Sequence, residues 1–545
     1  MKVLLVEPPI MDYRGGGRRT GELRSIAMDA VRECPPYGIY LLASVLRAAG
    51  HEVVLADLIA AADHRLTAWA ADLENCDLVG IGATSMSWPT ARVVIQEIRR
   101  DRPDVPIVLG GIHPTMFDEY ILGAFPVDYV IRGEAETGLP ALCAAISEGT
   151  GLDGVPNLSR READGTIRRN ALAPKMEAER LAEFPVPDYA EVPAGVYKGL
   201  AIESSRGCAF DCSFCSTTYR RTWRGLRPEA FVDRLEAVLP HLDRTLYRTV
   251  HIIDDEFSMN PRRATAIAEA IARRGLSPLL VYDSRATDLL YEPYVPAIAP
   301  FTCQFLIGAE CGYDEGLKLV GKGTTCDILE RAARRLQEFG ISDRADFSFI
   351  LGLPWETKAE VEKTIRFAVR LHALYGVRIL LQWYCQIPGS RLWQADRARG
   401  VVNETMYDEF GFFRDLYLFR SGVRLTPEEI WEIGDLVEQL KAVALIRTPG
   451  RRMIEFAFPQ AIHDFYPRTV LRRPGTGLRG LREVARAPKP LRASDLPPEA
   501  TAPAPAPDAE RTGPVHVGIP QRHFIGTDDD PVPAGSDWGP DSLMR

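Results

Sequence analysis

At 545 residues the chain is too long for one ordinary core, and two or three domains are expected. Hydrophobic residues make up 46% and charged residues 26%, and no apolar run is long enough to span a bilayer. A formal net charge of −9 leaves no cationic excess to meet phosphate, so neither nucleic acid nor a membrane is expected as a partner.

The chain opens on Met1-Lys2-Val3-Leu4-Leu5-Val6-Glu7, which acquires Glu7 too early for an export signal and reads instead as a first buried strand of a cytoplasmic protein. Further short apolar runs at 52–57, 78–83, 106–109 and 129–132 alternate with amphipathic stretches. The clearest helix spans 37–49: it follows Pro35-Pro36, carries Leu41, Leu42, Val45 and Leu46 on one face, and stops at Gly50. This alternation predicts an α/β domain over 1–150, a doubly wound, flavodoxin-like or Rossmann-like parallel sheet that binds its ligand at the C-terminal edge. The connection from Ile10 to Cys34 is long and carries Arg14, Arg18, Arg19 and Arg24, the composition of an anion-recognising lid or of a solvated loop.

Residues 151–198 show little helical or strand period and read as a linker. A second alternating series follows, with strands expected at 201–205, 250–254, 279–283, 303–309, 346–351 and 378–384. Six such β/α units predict a partial barrel over 199–400, with chemistry at the strand C-termini. The region 401–475 reads as helical. Thr426-Pro427-Glu428-Glu429 is a capping box with Pro at the first helical position, and Ile430, Ile433, Leu436, Val437, Leu440 and Val443 form one stripe after it. Residues 486–545 are rich in Pro, Ala and Asp and are expected to form a disordered tail.

Of 10 cysteines, seven are scattered and read as small buried hydrophobes. The other three, Cys208, Cys212 and Cys215, crowd into one loop directly after a strand candidate. Without an export signal, such crowding points to metal ligation rather than disulfides. Three soft sulfur donors suit an iron–sulfur cluster with one open iron, or zinc. A structural zinc would need a fourth ligand, and His241 and His251 are not at finger spacing.

The loop Cys208 to Cys215, with Phe214 before the last cysteine, resembles the radical S-adenosylmethionine (SAM) signature. Gly308-Ala309-Glu310-Cys311-Gly312 resembles that family's G-x-E-S-G strand end, with Cys311 in place of Ser. Gly352-Leu353-Pro354-Trp355-Glu356-Thr357 resembles its G-L-P-G-E-T turn, with Trp355 in place of Gly, and Pro388-Gly389-Ser390 its closing element. The resemblance implies that the three cysteines hold a 4Fe–4S cluster, that SAM binds the fourth iron, and that reduction cleaves SAM to a deoxyadenosyl radical. It places SAM contacts at Phe214, Asp255, Arg285 and Glu310, with Asp254 beside them; the plainer reading of each charged one is a salt bridge at a strand end.

The first domain carries Pro35-Pro36-Tyr37-Gly38, Gly82-Ala83-Thr84-Ser85-Met86-Ser87, Leu109-Gly110-Gly111-Ile112-His113 and Arg132-Gly133-Glu134 in an order that resembles the cobalamin-binding domain fused to radical SAM enzymes of class B methyltransferase type. The resemblance implies cobalamin contacts at Thr84, Ser85, Ser87, Gly110, Gly111, His113 and Glu134. Glycines at a strand end admit a flat macrocycle, and hydroxyls offer donors beside it. The D-x-H-x-x-G loop of His-ligating cobalamin domains is absent, with Gly111 at the Asp position, so His113 is expected not to ligate cobalt. The implied activity is methyl transfer from SAM through methylcobalamin to an unactivated carbon, or a phosphinate phosphorus, of a small molecule, in antibiotic or other specialised metabolism. An external donor of flavodoxin or ferredoxin type would supply electrons. Cyclisation, ring contraction or rearrangement with the same cofactors is the alternative, and a non-catalytic metal scaffold is the alternative of another class.

Overall fold

The computed structural model describes residues 1–12, 24–25, 33–408, most of 424–437, and 454–456. Strands are numbered along the chain. The first group is β1 (Lys2–Glu7), β2 (Met11–Asp12), β3 (Arg24–Ser25), β4 (Glu52–Asp57), β5 (Leu78–Gly82), β6 (Ile107–Gly110), β7 (Tyr129–Ile131), β8 (Leu158–Arg161) and β9 (Ile167–Arg169). A seven-stranded sheet has the order β4-β1-β5-β6-β7-β8-β9. Its first five strands are parallel, because each is an apolar run covered on both faces by crossover helices. The strand order reverses at β1, which opens a crevice beyond the C-terminal ends of β1 and β5. The two-residue strands β2 and β3 pair antiparallel within the long 10–34 connection; Arg14, Arg18 and Arg19 lie outside the described residues.

The stretch 151–198 departs from the linker expected of it. Strands β8 and β9 extend the sheet antiparallel, and Tyr189, Val192 and Tyr197 are fully buried. The strands escape sequence reading because they are short and basic, Leu158-Ser159-Arg160-Arg161 and Ile167-Arg168-Arg169, with no apolar period.

The second group is β10 (Gly199–Ile202), β11 (Ser205–Cys208), β12 (Thr222–Gly225), β13 (Thr249–Ile252), β14 (Leu279–Ser284), β15 (Thr302–Glu310), β16 (Ala345–Leu351), β17 (Arg378–Trp383) and β18 (Ile454–Phe456). A parallel sheet runs β10-β13-β14-β15-β16-β17-β18, while β11 and β12 form a separate antiparallel hairpin. The seventh strand, β18, lies inside the region expected to be helical; three residues are too few to show a period. The helical expectation holds for the described residues after Thr426. There Glu429 accepts from the Thr426 N–H (2.8 Å), the Thr426 Oγ1 accepts from the Glu429 N–H (3.2 Å), and Ile430, Ile433 and Val437 are buried. The tail 486–545 lies outside the described residues.

The chain returns to its first domain after the barrel. Trp88 Nε1 and Tyr120 Oη donate to the two oxygens of Asp408 (2.7 and 2.6 Å), and Tyr407 stacks on Phe117 at 5.8 Å. No helix of the described residues is long and apolar enough to cross a membrane.

Candidate cofactor sites

Strand β10 stops at Ile202 because the next residues are claimed by acids at the end of β13. Asp254 accepts from the Ser204 N–H (2.6 Å), the Ser204 Oγ (2.5 Å) and the Ser205 Oγ (2.6 Å), and Arg263 donates to the Ser204 carbonyl. Asp254 thereby turns the chain into the β11–β12 hairpin, at whose end stands Cys208, opposite Thr222. Gly207, at φ 81°, donates its N–H to Asp255 (3.1 Å), so that carboxyl lies under the cysteine loop. Burial pushes Asp255 up to about 7, against the hydrogen bond it accepts from Thr217.

The three thiols share one space. Burial raises all of them, and the charges of Cys212 and Cys215 raise Cys208 further. The Phe210 and Thr217 N–H groups point at the sulfurs of Cys208 (3.5 Å) and Cys215 (3.4 Å), donors that favour thiolates. Among the described residues no group of three or more His, Cys, Asp and Glu side chains is placed to hold a single metal ion. A cubane takes each thiolate on a different iron, so its sulfurs need not converge on one point.

Cations and acids crowd the same rim. Arg285 lies over the Phe210 ring, 3.2 Å from its centroid, and its Nε is buried with no hydrogen-bond partner. Its Nη2 donates to the carbonyl of Lys322, and the Lys322 ammonium pairs with Glu310 at 2.5 Å. Burial lowers Lys322, but Glu310 and Cys212 outweigh it and hold the ammonium above its usual value. Glu310 closes β15 with φ 63° after a register shift, and Gly308 lacks a side chain where the Lys322–Glu310 pair sits. Phe214 is half-buried and packs on the core. Asp255, Arg285 and Glu310 thus come together at the cysteine loop, and Lys322 joins them without having been legible in any motif.

In the first domain a cavity of about 170 Å³ opens at the C-terminal ends of β1, β5 and β6. Leu5, Ile39, Leu42, Val108 and Leu139 make it apolar, and Thr84, Gly110 and Gly111 stand in its lining as expected. A Cβ on Gly110 would meet nothing within 4 Å, whereas Gly111 (φ 95°) presses on the Ala83 carbonyl, 2.6 Å from where its Cβ would be. Glu7 lines the same cavity beside Gly82, and burial, then the charge of Asp57, raise it well above the carboxylate range. A carboxyl ending the first strand of a doubly wound sheet was the available signal for it.

Four expected cobalamin contacts lie elsewhere. Ser87 caps its own turn, its Oγ accepting from the Thr84 N–H (3.0 Å). Ser85 bonds the Nδ1 of His113 (3.0 Å), and His113 is fully buried, stacked on Trp88 at 4.8 Å; burial pushes its pKa down to about 3. Glu134 is buried under the hairpin, accepting from Arg206 (3.2 Å), Arg224 (3.0 Å) and the Met176 N–H (2.9 Å). Arg206 also pairs with Glu136 (2.6 Å) and Glu203 (2.7 Å), so this ion network joins the first domain to the strand that bears Cys208. The side chains of His113 and Glu134 turn into the core and the domain interface.

Fold and site define a class in which a doubly wound ligand-binding domain is fused to a barrel with a three-cysteine loop. Family models agree: the B12 binding domain matches residues 24–143 and the Radical SAM superfamily residues 202–368. An uncharacterized methyltransferase, PH0819, of Pyrococcus horikoshii is 31% identical over 413 residues, covering 74% of this chain and 84% of that protein. The anaerobic magnesium-protoporphyrin IX monomethyl ester cyclase of Rubrivivax gelatinosus is 27% identical over 388 residues, 68% of this chain and 65% of the cyclase. Among solved structures, the radical SAM methyltransferase TsrM from Kitasatospora setae, with cobalamin and a [4Fe–4S] cluster bound, superposes with a TM-score of 0.56 at 21% identity, over 72% of this chain and 75% of that one. The cobalamin-dependent radical enzyme OxsB, with aqua-cobalamin and SAM bound, gives 0.57 at 16% identity, over 89% and 78%. The chain belongs to the cobalamin-dependent radical SAM enzymes, whose cofactors are a 4Fe–4S cluster, SAM and cobalamin.

Proposed function

We propose that the enzyme is a methyltransferase, moving a methyl group from SAM by way of cobalamin to an unactivated carbon, or a phosphinate phosphorus, of a small molecule in antibiotic or other specialised metabolism in the cytoplasm. One observation carries the reading. The segment leaving Cys215 contributes Thr218 and Tyr219 to the wall of the cavity in the first domain, so a group held at the cysteines and one held in the cavity would be separated by one short stretch of chain. The methyltransferase names of the relatives from P. horikoshii and K. setae support it.

In this reading Cys208, Cys212 and Cys215 hold the cluster, a fit made by three soft sulfurs with amide donors aimed at two of them. Arg285, with its unpartnered buried Nε, and Lys322 offer cations to the SAM carboxylate; Asp255 offers an acceptor to its amino group, Glu310 stands on the ribose or substrate side, and Phe214 packs on the core. Gly110, Gly111 and Thr84 admit the corrinoid, and the aliphatic wall keeps water out. The bound groups together supply a radical initiator and a methyl carrier. An external donor of flavodoxin or ferredoxin type supplies the electrons.

The second reading, cyclisation or rearrangement with the same cofactors, is favoured by the cyclase relative. Turnover with SAM labelled in its methyl group separates the two: label in the product supports methyl transfer, and label-free product contradicts it.

A further inference from the structure

We infer that Tyr219 couples the two cofactor sites, so that filling the cobalamin cavity is felt at the cluster and the reverse. The inference rests on the cofactor assignment above and adds a positioning residue to it. Tyr219 belongs to the barrel by sequence, yet its side chain lines the cavity of the first domain. Gly133 of that domain, at φ 70°, makes room for it: a Cβ there would stand 2.5 Å from the phenol oxygen. Lys175 lies 5.3 Å from the ring centroid, and burial, then the charge of Glu136, push the phenol up to about 12, so it stays a hydroxyl at neutral pH.

The main chain of the same residue faces the other way. Its carbonyl accepts from the Cys208 N–H (3.4 Å) and from the Thr222 Oγ1 (3.0 Å). Two residues earlier, the Thr217 N–H reaches the Cys215 sulfur (3.4 Å). One residue later, Arg220 holds the Thr217 carbonyl (3.2 Å) and Asp211 (3.4 Å) and donates to the Gly389 carbonyl. The backbone at Thr217 and Tyr219 is therefore bonded to two cysteines, and a push on the ring is passed towards them. The bond to Cys208 is long, which sets the coupling at the modest end of the usual range, about fivefold.

Linkage makes the coupling measurable without turnover. Full-length protein is titrated anaerobically with hydroxocobalamin by visible absorbance, once cluster-free and once reconstituted, as wild type, Tyr219→Phe, Tyr219→Leu and Gly133→Ala. The two dissociation constants should differ by about fivefold in wild type, less in Tyr219→Phe, and not at all in Tyr219→Leu. Gly133→Ala pushes on the phenol from the other domain and should change the ratio. Tyr219→Phe keeps the ring packing and serves as the folded control. Equal constants in wild type, or an unaltered ratio in every variant that binds both groups, overturn the inference. A wild type that takes up no cobalamin or no iron contradicts the cofactor assignment instead.

Discussion

In the first domain the site is made by leaving side chains out, and in the barrel it is made by crowding them in. Gly80, Gly82, Gly110 and Gly111 open the cavity, aliphatic residues wall it, and its acid Glu7 is raised towards the neutral form. At the barrel rim Asp255, Arg285, Glu310 and Lys322 surround three thiols, and Lys322 is balanced by Glu310. A large, mostly apolar ring system needs volume, and a charged zwitterion on a metal cluster needs counter-charges. The first region should therefore answer to changes of size, and the second to changes of donor and charge.

The largest break is to the donors. Replacing Cys208, Cys212 and Cys215 together by Ala should abolish iron–sulfur absorbance and SAM cleavage, while cobalamin affinity moves by no more than about tenfold. Next comes the bond between the regions. Glu134→Ala leaves Arg224 and part of Arg206 buried without their partner, which should cost about 3–5 kcal/mol in a denaturant titration. Volume follows. Gly110→Leu adds a side chain where nothing stands within 4 Å, so folding should survive. An overpacking cost of about 1–3 kcal/mol should weaken cobalamin roughly 5- to 150-fold, and iron content should not change.

A smaller effect concerns pH. Glu356 accepts from the Gly352 and Leu353 N–H groups (2.8 and 2.9 Å), yet burial pushes it up to about 8 from 4.5. Its folded form keeps a proton that the unfolded chain has released. Stability should therefore fall as pH rises from 4.5 to about 8 and level off above. Melting temperatures of Glu356→Gln against wild type across that range should show the fall reduced in the variant. The smallest expected effect is none: the paramagnetic spectrum of the cob(II)alamin state should be alike in wild type and His113→Ala, because that imidazole stacks on Trp88 away from the cavity. Nitrogen splitting lost in the variant would show that His113 ligates cobalt.

The two regions also differ in how far the sequence reveals them. Buried parallel strands are continuous apolar runs, so β1 and β4 were legible to the residue, and the three cysteines announced their loop by spacing. Thr84, Gly110 and Gly111 were legible because a ligand needs small residues at strand ends. Direction was not legible. His113 and Glu134 sit one turn or less from the cavity, and their side chains turn into the core and the interface. The hairpin β11–β12 reads as loop, since Ser-Arg-Gly-Cys and Thr-Trp-Arg-Gly carry no alternation and their arginines are buried against Glu134 and Glu136, acids distant in sequence, as well as the nearby Glu203. Lys322 and Tyr219 belong to no motif and acquire their places only through contacts across the fold.

Two different cofactor sites lie in one chain. Iron, acid-labile sulfide, zinc and cobalamin should be measured together on one anaerobically purified and reconstituted preparation of the wild type. It should contain one 4Fe–4S cluster and one cobalamin per chain, with zinc at trace level. Stoichiometric zinc in place of iron and sulfide, or a cluster without cobalamin uptake, would contradict it.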